Sequence, residues 1–193
     1  MSMDLPKREF FFLRHGETEY NRTGRFQGQI DVPLNSAGMA QAEAVVKHLV
    51  ERKITRIVSS PAQRVLQTIK PLLAANDIPL HVDDDLMEMS VGSFEGREIA
   101  TVRQEHGLGP QDSWVPVLPE DAEVWDEFSF RVSSAVSRLT RKYSGETVLV
   151  ASHGLVFHAL TAALTGQKIY SANAEPHVFK PSTDGWAVAP VSS

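Results

Sequence analysis

Thr147 to Ala151 is a run of β-prone, apolar residues that leads straight into Ser152-His153-Gly154 and then a helical pattern, Leu155 to Leu164, stopped near Gly166. A strand with no polar side is buried on both faces, so the sheet that holds it must carry helices above and below. Other segments supply that sheet. Phe10 to Leu13 predicts a buried strand, Arg56 to Ser59 a second and Leu80 to Val82 a third. The helical patterns lie between them. One runs from Ser36, its expected cap, to about Arg52, with Met39, Ala42, Val46, Leu49 and Val50 on one face. Another is opened by Pro61 and turns Val65, Ile69, Leu72 and Leu73 inward, with Pro71 expected to kink or break it. A third spans Asp121 to Tyr143, with Trp125, Phe128, Val132, Val136 and Leu139 at three- and four-residue steps before Gly145.

Glu17 to Asn35 has no period and predicts a loop. Asp83 to Pro119 is irregular, with a short helix expected at Ile99 to Glu105. Val178-Phe179 and Trp186 to Val191 predict a terminal hairpin around Asp184-Gly185. Strands alternating with helices predict an α/β chain of three layers, α/β/α, with a mostly parallel central sheet. The length of 193 residues suits one domain, residues 1–193.

Composition narrows the chemistry. With no cysteine, the chain has no thiolate nucleophile, disulfide or cysteine-bound zinc. A net charge of -5 and the lack of a basic stripe argue against nucleic acid. The one apolar run near the start, Phe10 to Leu13, is too short for a signal-peptide core or a membrane span, so no membrane partner is expected and the expected location is cytoplasmic.

Three expected strands end in polar clusters. The first ends in Arg14-His15-Gly16-Glu17-Thr18, the second in Ser59-Ser60-Pro61 with Arg64 one turn on, and the Thr147 strand in Ser152-His153-Gly154. In a parallel sheet these clusters share one edge, where such sheets bind ligands. Two histidines and two arginines then converge. Guanidinium forks suit a tetrahedral oxyanion, helix N-termini point at the same place, and an imidazole with one bare nitrogen is a nucleophile near neutral pH. Gly16 is expected to let the chain turn sharply beside His15. Each piece alone has a plainer explanation: Arg64 would be a solvated helix residue, and a lone Arg-His-Gly is mostly chance. A metal on the two histidines is disfavoured, because no carboxylate stands at ligand spacing and the arginines would repel a cation. His48, His81, His106, His158 and His177 lack such company and are expected to be structural or solvated.

Taken together, the motifs resemble the histidine phosphatase superfamily, the phosphoglycerate mutase-like family. They are Leu13-Arg14-His15-Gly16-Glu17-Thr18 with Asn21; Gly24-Arg25-Phe26-Gln27-Gly28; Asp31-Val32-Pro33-Leu34-Asn35; Ser59-Ser60-Pro61-Ala62-Gln63-Arg64 with Gln67-Thr68; Leu86-Met87-Glu88 with Gly92-Ser93-Phe94-Glu95-Gly96; and Ser152-His153-Gly154. The resemblance covers Phe10 to about Gly166. It implies a phosphoglycerate mutase-like fold with a small cap, about residues 89–125, between the third strand and the last core strand. It implies that His15 is phosphorylated, that Arg14, Arg64 and His153 hold the phosphoryl oxygens, and that Glu88 gives and takes the proton. Asn21 and the backbone near Gln27 and Gly28 would close the phosphate pocket. Read from position alone, Glu88 would be a solvated loop carboxylate. The chain departs from the family in two places: Tyr20 stands where tryptophan is frequent, and Phe157, followed by His158, stands where many phosphatases have an arginine.

The expected activity is a phosphatase of the histidine acid phosphatase type acting on a small phosphorylated metabolite, with no cofactor and no metal, as a monomer or homodimer. The alternatives are a phosphoglycerate mutase or a non-catalytic phosphate-binding protein. Sugar phosphates, phosphoglycerates, nucleotide-derived phosphates, a cobalamin-precursor phosphate and phosphoproteins all remain open as substrates. Trp114, Val115, Val117, Leu118 and Trp125 are available to line the cap.

Overall fold

The computed structural model describes residues 5–110 and 112–191. Residue 111 of the expected cap, and the ends of the expected 1–193 domain, lie outside the described residues. The strands are β1 (Phe10–Arg14), β2 (Arg56–Ser59), β3 (Leu80–Val82), β4 (Val148–Ser152), β5 (Pro176–Ser182) and β6 (Gly185–Pro190). The helices are α1 (Glu19–Arg22), α2 (Ser36–Val50), α3 (Gln63–Ala75), α4 (Ile99–Glu105), α5 (Trp125–Lys142) and α6 (Gly154–Thr165). One six-stranded sheet has the order β3-β2-β4-β1-β5-β6. β1, β2, β3 and β4 pair in parallel, and the β5–β6 hairpin adds antiparallel to β1. The expected terminal hairpin is β5 and β6, and it joins the sheet with Phe10 opposite Phe179.

The strands bury both faces, as their lack of alternation requires. Phe10, Phe12, Val58, Val148 and Val150 face α5 and α6, against Phe128, Val132, Val136, Phe157 and Leu160. Phe11, Leu13, Ile57, Leu149 and Ala151 face α2 and α3, against Val45, Leu49, Val65, Ile69 and Leu72. Successive residues thus enter opposite cores, which makes the three layers. A third, smaller core joins Phe26 to Val91, Phe94 and Val102 of the segment between β3 and α5.

Several local expectations change. Residues 17–35 contain α1, four residues long and too short to show a period; Thr18 and Asn21 form its reciprocal capping box. Asn35, not Ser36, caps α2, its side chain accepting from the Gly38 amide at 2.8 Å. The buried stripe of α2 runs through Gly38, Ala42, Val45 and Leu49, leaving Met39 and Val50 exposed. Pro61 does not open α3: Ser60 turns the chain, its hydroxyl accepting from the Ala62 amide, and the helix starts at Gln63. Pro71 withholds one amide, yet α3 continues through it, anchored by buried Val65, Ile69 and Leu72. Asp121 lies ahead of α5 and accepts from the Ser93 amide at 3.0 Å, so α5 begins at Trp125.

Phe12 is fully buried, with its ring 5.3 Å from that of Phe157 and 6.3 Å from that of Phe179. Phe12→Ala is expected to cost about 3–5 kcal/mol of stability, measured by urea unfolding. A loss below about 1 kcal/mol would show that this aromatic cluster does not hold the sheet to α6.

Candidate active site

The parallel register sets the site. Arg14 of β1 lies opposite Ser152 of β4, and Ser59 of β2 opposite Ala151, so the three polar clusters share one sheet edge. His15 follows β1, with its amide on the Ser152 carbonyl at 3.0 Å. Its Nδ1 lies 2.8 Å from the Gly16 carbonyl. Nδ1–H therefore donates there, and Nε2, which makes no hydrogen bond, keeps its lone pair. The His153 ring stands edge-on to it at 5.4 Å between centroids. Ser60 Oγ lies 2.8 Å from His153 Nε2. With the hydroxyl donating, the ring proton sits on Nδ1, which is buried and has no partner.

The arginines follow the same pattern. Arg64 is fully buried and spends its Nη atoms on the carbonyls of Ile30 at 2.8 Å and Gly28 at 2.9 Å. Arg14 gives Nη1 to the Ser171 carbonyl at 2.6 Å, and its guanidinium lies against Gly154, where a Cβ would come within 3.2 Å of Nε. Nε of both arginines is buried and unpartnered. Buried donors rarely go unsatisfied, and two guanidinium Nε atoms left so, at the sheet edge that carries a bare imidazole nitrogen, suit an anion.

Burial holds the His15 pKa well below its ordinary value, and the charges of Arg64 and Arg14 lower it further. His153 is lowered in the same way, by burial and then by Arg64. Both rings are therefore neutral near pH 7. Glu88 goes the other way: burial raises its pKa, against the pull of the Met89 and Leu155 amides and of the two arginines. Its Oε1 accepts from Met89 N at 3.0 Å and its Oε2 from Leu155 N, in the first turn of α6, at 3.2 Å. Glu88 is thus a wall of the cleft and not a solvated loop residue.

Arg14, His15, Asn21, Gln27, Gly28 and Glu88 line one cleft of about 200 Å³, with Trp114 of the expected cap also in its wall. Asn21 Oδ1 is taken by Thr18 N and Asn173 Nδ2, and Gln27 Oε1 by Thr18 Oγ1, so each keeps its amide nitrogen for the cleft. Of the two helix starts expected to face the pocket, α6 does so through Gly154, whereas the first amide of α3 is held by Asp31 Oδ1 at 2.8 Å. Gly16 is needed for close approach rather than for a turn: a Cβ there would lie 2.7 Å from the Gly38 carbonyl.

Some roles are not legible from the sequence: Thr68 lies in a motif but is not marked there as a partner of Gly16, and Asn173 and Arg131 lie outside the motifs. Asn173 Nδ2 donates to the His15 carbonyl at 3.0 Å, and Thr68 Oγ1 accepts from the Gly16 amide at 2.9 Å. Arg131 of α5 bonds the carbonyls of Asp85 at 2.8 Å and Met87 at 3.1 Å and pairs with Glu123, so it fixes the loop that carries Glu88. Phe157 is fully buried in the core and cannot meet a substrate. His158 is packed against Trp125 and stacked on Tyr170, and His177 packs on Phe157. Among the described residues, no group of three or more His, Asp or Glu could hold a metal ion, and no helix is long and apolar enough to cross a membrane.

The family model for the histidine phosphatase superfamily (branch 1) matches residues 10–189. The chain belongs to this superfamily. Phosphoglycerate mutase-like protein 4 of Arabidopsis thaliana is 32% identical over 165 residues, 82% of this chain and 72% of that protein. An Enterobacter protein named "Probable phosphoglycerate mutase GpmB" is 30% identical over 84% of this chain and 77% of its own length. The solved structure of a mycobacterial glucosyl-3-phosphoglycerate phosphatase with VO3 superposes with a TM-score of 0.83 at 26% identity, covering 97% of this chain and 100% of that one. The superfamily fold, with its mixed and mostly parallel sheet, is the one described above. The similar proteins named here include a phosphatase, a protein named as phosphoglycerate mutase-like and one named as a probable phosphoglycerate mutase.

Because Arg131 holds the Glu88 loop from behind, Arg131→Met is expected to lower kcat roughly tenfold to a hundredfold with little change in KM, while the fold survives in urea titrations. An unchanged kcat would show that the loop holds Glu88 without it.

Proposed function

We propose that the chain is a metal-independent phosphatase of the histidine acid phosphatase type. It hydrolyses a small phosphorylated metabolite in the cytoplasm through a phosphohistidine on His15. The observation that supports this reading most is the pair of unpartnered buried guanidinium donors, Arg14 Nε and Arg64 Nε, at the sheet edge that carries a histidine whose Nε2 is bare. Phosphoryl oxygens would satisfy both, and His153 Nδ1 too when it carries the ring proton. Asn21, Gln27 and the backbone at Gly28 would close the pocket around them.

His15 Nε2 attacks phosphorus as the bond to the alcohol oxygen breaks, and the Glu88 proton passes to that oxygen. The arginines and His153 stabilise the charge spread over the phosphoryl oxygens in the transition state. Water then attacks the phosphohistidine and gives its proton to Glu88, releasing phosphate and restoring His15. The arginines supply the positive charge that a metal would otherwise bring. The test is phosphate release from para-nitrophenyl phosphate with and without a chelator. Release is expected to withstand chelation and to fall at least about a thousandfold in His15→Ala. Release that persists in the variant would remove His15 as the nucleophile.

The active free enzyme has His15 neutral and Glu88 protonated. Lowering the pH through the depressed His15 pKa removes the nucleophile, and raising it through the elevated Glu88 pKa removes the acid. Activity is therefore expected to lean to the acid side and to fall as pH rises through the Glu88 pKa. In Glu88→Gln that alkaline limb should vanish from kcat/KM, and the rate should drop by about 10²–10⁴-fold. A limb that survives in Glu88→Gln would assign it to another group.

The relatives named as phosphoglycerate mutases favour a second reading, in which a hydroxyl rather than water takes the phosphoryl group. With 3-phosphoglycerate as substrate, inorganic phosphate is the product of the first reading and 2-phosphoglycerate that of the second.

A further inference from the structure

We propose that the enzyme's substrate is a phosphomonoester whose alcohol carries a planar ring, seated in an aromatic groove that continues from the phosphate cleft. The proposal rests on the phosphatase reading above and names the substrate class for that site. A second hollow of about 550 Å³ opens beside the cleft, and the two share Trp114, Leu155 and Tyr170 as walls. Its floor is one face of α6. Leu155, His158 and Ala162 follow at three- and four-residue steps and extend the hollow about 10 Å from the residue whose amide holds Glu88. A leaving group protonated by Glu88 therefore has its exit along this face.

The walls suit a flat ring. Tyr170 lies parallel to His158, with centroids 4.6 Å apart and planes 12° apart, while 73% of its surface remains exposed. Its outer face is thus an open stacking surface held in place from behind. Trp125 packs against His158 with centroids 5.6 Å apart, and Trp114 is fixed edge-on to Phe26 at 5.4 Å. Three aromatic side chains are in this way positioned before any ligand arrives, so little ordering is needed on binding. His158 Nδ1 is directed at the Ile169 carbonyl at 3.3 Å, which leaves Nε2 as an acceptor for a ring N–H or sugar hydroxyl. Burial lowers the pKa of this histidine, so it meets the ligand uncharged. Arg103 and Lys168 also line the hollow, so its walls are aromatic and cationic together, and a phosphoglycerate would leave the rings unused.

The test compares two esters with the same primary alkoxide leaving group, adenosine 5′-monophosphate and ribose 5-phosphate, which differ in the ring. The native enzyme is expected to favour the nucleotide by roughly tenfold or more in kcat/KM. Tyr170→Ala, at an exposed position, should remove most of that preference, lowering kcat/KM for the nucleotide by several-fold more than for ribose 5-phosphate. Equal or inverted preference in the native enzyme overturns the proposal while the phosphatase reading stands. Calorimetric binding of the same two esters to His15→Ala separates the two ideas. A nucleotide preference in binding without turnover of either ester by the native protein upholds the groove and counts against the chemistry. No preference in binding overturns the groove.

Discussion

Two guanidinium groups buried without a carboxylate partner set the terms for the rest of this structure. Among the described residues, neither Arg14 nor Arg64 forms an ion pair; carbonyl oxygens of Gly28, Ile30 and Ser171 take their Nη hydrogens instead. Charges so placed are costly unless they are hydrogen-bonded, and they repel one another and any proton on His15. The loops on either side of the sheet edge must therefore hold their carbonyls in place. The 17–35 segment does this through the Thr18–Asn21 capping box and the Asp31 contact with α3. The 171–175 segment does it through Asn173 and the Ala174 amide, which closes on the carbonyls of Arg14 and His15. An oxyanion would relieve the field these groups create, and the proposed phosphate site makes use of this.

The same field separates the two proton-carrying groups. Enclosure drives His15 toward its neutral form and Glu88 toward its protonated form, the forms that the proposed attack and proton transfer need. The arginines pull Glu88 the opposite way, toward ionisation. The Leu155 amide couples this carboxyl to the start of α6, whose next turns form the floor of the groove.

Much of this was legible in the chain because the strands are unambiguous. Phe10 to Leu13 and the Val148 strand have no polar side, which implies helices on both faces, and the polar clusters that follow them had to share an edge once the pairing was parallel. What misled the reading was local chemistry that competes with periodicity. Met39 and Val50 look inward by spacing, but Gly38 must approach Glu17 so closely that a Cβ would lie 2.0 Å from its carbonyl oxygen, and this turns the inner stripe of α2 to Val45. Pro61 resembles a helix opener, but Ser60 uses that turn to reach His153. α1 is one turn long and is held by caps rather than by an apolar face.

The residue pattern alone implies the layered sheet and the polar clusters at one edge of it, because burial on both faces and parallel pairing leave few other arrangements. Which nitrogen of each guanidinium is left free was set by packing. Packing also decided that Glu88 faces inward, that Phe157 is core, and that Arg131 and Asn173 brace the site. Those outcomes depend on contacts between residues far apart in the chain, where the partner of a hydrogen bond is chosen by packing and not by spacing.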